Sequence, residues 1–286
     1  MGTRKTTKPH LIALAIAGFS VGMMSAPLAE AAIVTQWQVT VDAKFDASSI
    51  VWRFGDAGTT VTDHQLRWGD PSPSTGPQSG VDITNSPAVT SVDTNGAAVG
   101  NIFLSHLNNP IVAGSPRPER FAIASTLTLT PLVPAGPGLP SVTQTFNVYF
   151  EETPNGANPC ADGGANGVGV NLNGCGDIFV LDRDALNFMF TYDTGDGIDQ
   201  QYFISFFELT SGLNPLPQTA CDYVFNAQSL PTGSPCLGFV TPEDATTRVQ
   251  FAAMITTAPV QIPEPGSLAL AGLSLSLLGL LRRRWV

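Results

Sequence analysis

Basic side chains are scarce in this 286-residue chain, which has 13 lysines and arginines against 23 aspartates and glutamates. The shortage is greater between residues 32 and 262, where seven basic residues stand against 21 acidic ones and the net charge is −14. So acidic a body repels phosphate backbones, which argues against nucleic acid as a partner. Divalent cations or basic surfaces suit it better.

The same body lacks the short motifs of common enzymes. It contains no G-x-S-x-G, no phosphate-binding glycine loop and no H-E-x-x-H. Glu151 and Glu152 are adjacent, so in a strand they point to opposite faces, and we expect a solvated strand end rather than a catalytic pair. We therefore predict that the protein is not an enzyme. A secreted hydrolase remains a second alternative, and it would require two carboxylates that converge in a cleft.

Long apolar runs are absent from the body and occur only near the two ends. The first run, residues 11–24, follows Arg4, Lys5 and Lys8 and precedes small residues that include Ala29-Glu30-Ala31. A basic start, a short apolar stretch and an A-x-A site are the three parts of a secretory signal peptide. We predict that residues 1–31 form such a peptide, cleaved after Ala31, and that the Sec machinery exports the chain through the inner membrane.

The second apolar run, residues 266–281, is predicted to be a transmembrane helix that holds the chain in the membrane before processing. Three arginines follow it, and the positive-inside rule places them in the cytoplasm and the body on the far side. A Pro-Glu-Pro triplet precedes it and stays extended, because proline cannot continue a helix or a central strand. The residues concerned are Pro263, Glu264, Pro265, Arg282, Arg283 and Arg284.

This order of triplet, apolar helix and arginine cluster resembles the PEP-CTERM sorting signal, over residues 262–286. The resemblance implies recognition by an exosortase, a membrane transpeptidase, and a final place at the cell surface or outside the cell. It also implies a structural or adhesive role among exopolysaccharides, which such signals accompany. The plain alternative is a C-terminal anchor with a proline-rich linker.

The body itself is predicted to be all-β. Period-two alternation bounded by Gly, Pro, Asn and Asp indicates strands at 33–45, 48–54, 121–130, 142–151, 177–181, 186–192, 202–209 and 248–256. No stretch has a convincing helical stripe over three turns. We expect residues 32–261 to form a single β-sandwich or jelly-roll-like domain with long Gly/Pro/Asn-rich loops.

Four cysteines lie in the exported body, and both successive pairs are separated by 14 residues. In an oxidising compartment disulfides are the default, although the count alone allows three connectivities. The pairs Cys160–Cys175 and Cys221–Cys236 are favoured because each closes one turn-rich loop, which stabilises by up to about 3 kcal/mol. A zinc site competes poorly, since no C-x-x-C is present and no histidine lies near the cysteines in the sequence.

The hexapeptide at 105–110 contains Ser105, His106 and Asn108, and it ends in proline. Asparagines before a proline favour a hydrogen-bonded turn, although a histidine with two asparagines could also hold a ligand or metal. With several other segments, this hexapeptide resembles the THxN family of PEP-CTERM proteins, with Ser105 in place of the threonine. The resemblance covers most of the body. It implies export and architecture, and no reaction.

Two weaker patterns suggest a binding module as the alternative function. Asp193, Asp196 and Asp199 place three carboxylates on a glycine-rich turn, which is a possible calcium site, although Asp-Gly is also a favoured hairpin turn. Among the tryptophans of the body, Trp68, beside Gly69 and a proline-rich loop, is the better candidate for an exposed, sugar-binding side chain, although core packing is the usual role of such residues. No other cofactor is predicted.

Overall fold

The computed structural model describes residues 32–181, 187–210 and 213–260. The predicted signal peptide, the PEP triplet, the apolar run and the arginine cluster lie outside these ranges. Within them, no helix has both the length and the apolar character needed to cross a membrane.

Fourteen strands and one α-helix make up the described part of the chain. The strands before the first long loop are β1 Gln36–Arg53, β2 Thr60–Val61, β3 Gln65–Trp68, β4 Ser79–Thr84, β5 Ala88–Asp93, β6 Val99–Asn108, β7 Arg117–Val133 and β8 Val142–Glu151. The remaining elements are β9 Asp177–Leu181, β10 Asn187–Asp193, β11 Asp199–Glu208, β12 Asn214–Pro215, α1 Gln218–Ala227, β13 Leu237–Thr241 and β14 Ala245–Thr256. The all-β prediction is therefore confirmed at the level of fold class.

The strands form two seven-stranded sheets. In the first sheet the order is β12-β13-β9-β8-β7-β1-β5, and in the second it is β10-β11-β14-β6-β4-β3-β2. All the pairings between these named strands are antiparallel. Sheet partners are often distant in sequence, as in β14 with β6, so the chain passes repeatedly from one sheet to the other.

The first strand is longer than the sequence predicted. Two strands separated by a turn were expected at 33–45 and 48–54, and the structure has one 18-residue strand with an irregularity between Asp46 and Val51. The Ser49 hydroxyl donates to the Asp46 carbonyl over 2.6 Å and accepts from the Ala122 N–H over 2.7 Å. These bonds replace ladder bonds at the bulge, so the strand bends without ending.

The two sheets pack face to face through one apolar core. Along β1 the inward residues alternate with outward ones, as period-two geometry requires, and Trp37 is fully buried. Its indole makes edge-to-face contacts with Phe190, Tyr192 and Tyr202 of the second sheet, at centroid distances of 5.2–5.4 Å. The sheets are thereby fixed relative to one another by ring packing as well as by burial.

The helix α1 covers the outer face of the first sheet, where no helix was predicted. Its buried residues Ala220, Cys221 and Val224 pack on Ile178 and Val180 of β9. With ten residues it is shorter than three turns, so its sequence carries too little periodicity to be recognised. The structure joins Cys221 of this helix to Cys236, and Cys160 to Cys175, the same pairs that the loop argument favours.

We expect Trp37→Ala to lower the free energy of unfolding by about 3–5 kcal/mol, because it leaves a large cavity between the sheets. Urea denaturation of the purified protein measures the change. The control is Leu172→Ala, whose side chain is 66% exposed in a loop, and we expect a change within about 0.5 kcal/mol. Equal losses in the two variants would contradict a core that depends on Trp37.

Candidate functional site: a buried carboxyl cluster

Three carboxylic acids meet at one end of the two sheets. Glu152 directly follows β8, Asp177 is the first residue of β9, and Glu243 lies in the turn between β13 and β14. One carboxylate oxygen from each of the three lies within 4.8 Å of the others. Glu152, Asp177 and Glu243 are called the carboxyl cluster below.

Strand register brings these residues together although they are far apart in the sequence. Asp177 pairs with Thr241 across β9 and β13, and Glu151 pairs with Ile178 across β8 and β9. Glu243 lies two residues beyond Thr241, so all three acids gather at the same strand ends. The cluster is thus assembled by the first sheet and by the turn that leads into the second.

The cluster is largely withdrawn from water. Asp177 is 0% and Glu243 2% exposed, whereas Glu152 reaches an open cleft that Arg117, Thr153 and Asn155 also line. The Thr153 N–H donates to one Asp177 oxygen over 2.9 Å. Among the described residues, the buried cluster oxygens that have no hydrogen-bond partner are Glu152 Oε2, Asp177 Oδ2, Glu243 Oε1 and Glu243 Oε2.

Burial raises the pKa values of all three acids, and repulsion within the cluster adds to this for Glu152 and Asp177. Burial, followed by the charge of Glu243, raises the pKa of Glu152 to about 8. Burial and then the Glu152 charge raise the pKa of Asp177 well above its usual range. Burial also raises the pKa of Glu243, against the side chains of Asn155 and Asn108, which lower it. The protein holds three acids together where water cannot stabilise their ionised forms.

The residues of the S-H-x-N hexapeptide form one wall of this site. Asn108 is fully buried, its side chain lies against Glu243, and its amide N–H donates to the Thr241 carbonyl over 3.2 Å. His106 Nδ1 is hydrogen-bonded to the Thr241 hydroxyl at 2.9 Å. Burial lowers the pKa of His106 to about 3, so its ring is neutral at physiological pH. Ser105 alternates to the outer face of β6.

Trp68 completes the wall. Its indole is fully buried and stacked on the His106 ring at a centroid distance of 5.7 Å. The indole N–H faces the Glu152 carboxyl and lowers its pKa, although the geometry falls short of a regular hydrogen bond. Trp68 is therefore not the exposed sugar-binding side chain for which it was a candidate. The turn expected at His106 is also wrong, because His106 and Asn108 lie within β6, where the inner row of the strand buries them.

A disulfide-closed loop supports Asp177 from the other side. Cys160 is bonded to Cys175, two residues before Asp177, and the Asn171 side chain accepts from the Gly176 N–H over 2.8 Å. The same Asn171 donates to the Asp162 carboxylate over 3.0 and 3.1 Å. The long loop after β8 is thus pinned at several points, and the approach to β9 is fixed with it.

Glu151 lies on the opposite side of β8 from Glu152, as alternation predicted, but neither residue is a solvated strand end. Glu151 is 4% exposed and accepts from Arg53 over 2.6 Å, with Arg117 at 4.0 Å. Burial raises the pKa of Glu151 even though both arginines lower it. The expectation of solvated glutamates fails because the loop after β8 and the helix α1 cover this end of the sheet.

The aspartates predicted as a calcium turn lie elsewhere, in the hairpin between β10 and β11. Asp193 pairs with Asp199, and an Asp193 oxygen accepts from the N–H groups of Gly195 and Gly197 over 2.8 and 3.0 Å. Asp196 accepts from the N–H groups of Ile198 over 2.9 Å and Ala32 over 3.1 Å, and these two bonds lower the pKa of Asp196. Backbone donors therefore already occupy carboxylates of this exposed turn.

Sequence reasoning missed the carboxyl cluster, although a signal was present. The inner row Phe146, Val148, Phe150 continues to Glu152 at the next period-two position, and the row Leu181, Phe179 continues backwards to Asp177. An acid that extends an inward row beyond the end of a strand is directed at the interior. Such rows identify each acid separately, and only the strand order shows that they meet.

We expect the metal-free protein, kept in chelator, to lose stability as the pH rises from about 5 to about 8. Folding raises the pKa of Glu152 from 4.5 to about 8, so the folded state binds this proton more tightly than the unfolded state does. The resulting stability is complete below the unfolded pKa and is lost as the pH rises through the folded one. Urea midpoints across this range measure the effect.

The matched control is Glu152→Gln, which has no proton to lose at this position. As the pH rises, the urea midpoint of the wild type should fall relative to that of the variant. A difference that is constant across the range would show that Glu152 ionises equally easily in the folded and unfolded states.

Residues 261–284 match the PEP-CTERM protein-sorting motif. The matched segment contains the triplet Pro263-Glu264-Pro265 and the arginines that follow the apolar run. No curated protein matches the chain in sequence. The THxN resemblance concerns residues outside the matched segment and stays a prediction. The chain therefore carries the sorting signal of an exported protein that an exosortase processes, with a destination at the cell surface or outside the cell.

Proposed function

We propose that the mature protein is a non-catalytic structural or adhesive component of an exopolysaccharide-associated cell surface. The observation that carries this proposal is the sorting match at 261–284, because PEP-CTERM signals accompany envelopes that produce exopolysaccharide. The resemblance of the body to THxN proteins agrees with the same setting. On this proposal, residues 32–261 are what the cell places outside, and the two ends serve delivery.

The domain is stabilised by two disulfides and by an apolar core shared between its sheets, which supports a structural role. Both disulfides close loops at the surface of the first sheet, and the two sheets share one apolar core. Disulfides of this kind persist in oxidising compartments and constrain the unfolded chain. A protein that remains outside the cell, beyond the reach of cytoplasmic chaperones, benefits from both effects.

The position of the carboxyl cluster supports a role without catalysis. A glycoside hydrolase needs two carboxyl groups that flank the scissile bond about 5–9.5 Å apart. Here Asp177 and Glu243 are almost completely covered, and only Glu152 reaches the cleft. A sugar in the cleft would meet one acid rather than two, so we assign the cluster no part in hydrolysis.

The positions of the tryptophans argue against a tryptophan-lined sugar platform. Trp37 and Trp68 are fully buried, and Trp52 is half-buried beside the main core. Exposed aromatic faces are what stacks on sugar rings, and none of these three offers one. On our proposal, the domain contacts polysaccharide through its polar surface. The sorting signal brings it to the place where the polysaccharide lies.

The delivery step is tested by expressing the full chain in a host with and without its exosortase and measuring the intact mass of the mature protein. We expect the segment after Pro263-Glu264-Pro265 to be lost only when the enzyme is present. Glu264→Ala is the matched variant, and it should retain the tail in both hosts. Retention of Arg282, Arg283 and Arg284 by the unaltered chain in both hosts would contradict exosortase processing.

The role itself is tested in a strain that lacks its own copy of the protein. Restoring the full chain should increase the exopolysaccharide retained on the cells, and the unprocessed Glu264→Ala variant should not. The purified protein should also leave the number of reducing ends in that polysaccharide unchanged. Release of new reducing ends that disappears in Glu152→Gln would overturn the non-catalytic proposal in favour of a hydrolase.

A further inference from the structure

We propose that the carboxyl cluster binds one calcium ion, which ties together the ends of the two sheets. The site differs from the hairpin turn at 193–199 and uses residues that no sequence motif identifies. The inference concerns the folded domain and is independent of the fate of the tail.

Geometry is the first reason. One oxygen from each of Glu152, Asp177 and Glu243 lies within 4.8 Å of the other two. Calcium binds oxygen ligands at about 2.3–2.6 Å, so two ligands of one ion lie at most about 5 Å apart. The separations in the cluster are therefore those that a single ion can bridge without rearrangement of the strands.

The second reason is a set of buried oxygens at this site that have no hydrogen-bond partner. Asn108 is 0% exposed, its Nδ2 donates to the Thr241 carbonyl, and its Oδ1 has no partner. Its side chain also lies close enough to Glu243 to lower the pKa of that carboxyl. Buried polar atoms are almost always satisfied, so the unpartnered oxygens of the almost completely buried Asp177 and Glu243 need an explanation. A cation held by the three acids would supply the partner that their carboxylate oxygens lack.

The donor set selects the ion. Within the carboxyl cluster, four buried oxygens have no hydrogen-bond partner, and two of them belong to Glu243. Calcium takes six to eight oxygens and accepts irregular geometry, so about two to four water oxygens would complete the shell. Zinc prefers nitrogen and sulfur ligands. Among the described residues, the side chains that lie close enough to share one ion are three carboxylates, and His106 is not one of them. Magnesium requires near-ideal octahedral coordination, so calcium suits this site better.

The surrounding charges leave room for the ion. Arg117 of β7 lowers the pKa of both Glu152 and Asp177, and it also approaches Glu151 at 4.0 Å. Glu151 is further engaged by Arg53, and Asp244 adds negative charge next to Glu243. One arginine shared among several acids leaves the cluster short of positive charge. The cleft at Glu152, Thr153 and Asn155 gives an ion a path from solvent.

Bound calcium would act as a clamp between layers. Glu152 and Asp177 belong to the ends of β8 and β9 in the first sheet, Asn108 ends β6 in the second, and Glu243 lies in the turn that connects them. An ion held by the three acids, beside Asn108, would resist separation of the sheets at this end. This is the role of a structural calcium site in an extracellular module.

The test uses the full-length purified chain, freed of metal by chelator and then titrated with CaCl2. We expect one ion per chain by calorimetry and a rise in melting temperature with calcium concentration, because calcium would bind only the folded state. Terbium, a luminescent calcium substitute, should be sensitised by Trp68, whose indole faces Glu152. Trp68→Phe should therefore lose most of the luminescence.

Two neutral, size-matched substitutions locate the ion. Glu243→Gln should lower the calcium affinity on the order of tenfold or more, since ligand charge sets affinity, and it should fold because it relieves repulsion in the cluster. Asp196→Asn, in the hairpin, should leave the affinity unchanged. Asp177→Asn repeats the test if Glu243→Gln folds poorly.

Several outcomes would overturn the proposal. One is a melting temperature that does not respond to calcium, and another is binding that Asp196→Asn abolishes while Glu243→Gln preserves it. Tighter binding of zinc or magnesium than of calcium at the cluster would reject calcium as the ion. Terbium luminescence that survives Trp68→Phe at full strength would place the ion away from Glu152.

Discussion

The edge-to-face contacts of Trp37 with three rings of the opposite sheet hold the two layers of the domain in one relative position. Because side chains alternate along each strand, an inward row of apolar residues on one sheet must meet a complementary row on the other. Once the layers are fixed in this way, the ends of their strands are fixed too. The carboxyl cluster depends on that arrangement, since its acids and Asn108 come from strand ends in both layers.

Three acids gathered at a covered site oppose folding unless their charge is neutralised. Burial raises all three pKa values, and neighbouring cluster acids raise those of Glu152 and Asp177 further. Of the nearby arginines, Arg53 is paired with Glu119 and Glu151, and Arg117 is shared with Glu151, so they compensate only part of the charge. The surrounding structure, with Asn171, the Cys160–Cys175 disulfide and the stacked pair Trp68 and His106, keeps the acids in place despite the repulsion.

A site of this kind suits the compartment to which the sorting signal directs the chain. Extracellular modules bind calcium weakly, and the ion is plentiful outside the cell, so a domain can depend on it after export. The residues of the S-H-x-N hexapeptide then have a physical role, in which Asn108 adjoins the acids and His106 packs behind them as a neutral ring. That role is structural and needs no reaction.

The sequence alone was sufficient for the features that depend on local pattern. The basic start, the apolar runs and the Pro-Glu-Pro triplet are contiguous, and a sorting machinery reads them as linear segments, so the export signal could be recognised directly. Alternation predicted the all-β class and most of the long strands. It did not predict the bulge of β1, where Ser49 replaces ladder bonds, or the short helix α1. Spacing favoured the cysteine pairs because each pair closes a local loop.

Only the tertiary structure decided what lies inside the domain. Glu152, Asp177 and Glu243 span more than 90 positions of the chain, and they meet because β8, β9 and β13 are neighbours in one sheet. From the sequence, Trp68 was a candidate for exposure and His106 was placed in a turn. Both are buried, because they lie on the inward faces of β3 and β6. Alternation tells which way a side chain points along its own strand, but the partner it meets is set by strand order and layer packing, which are long-range properties of the folded chain.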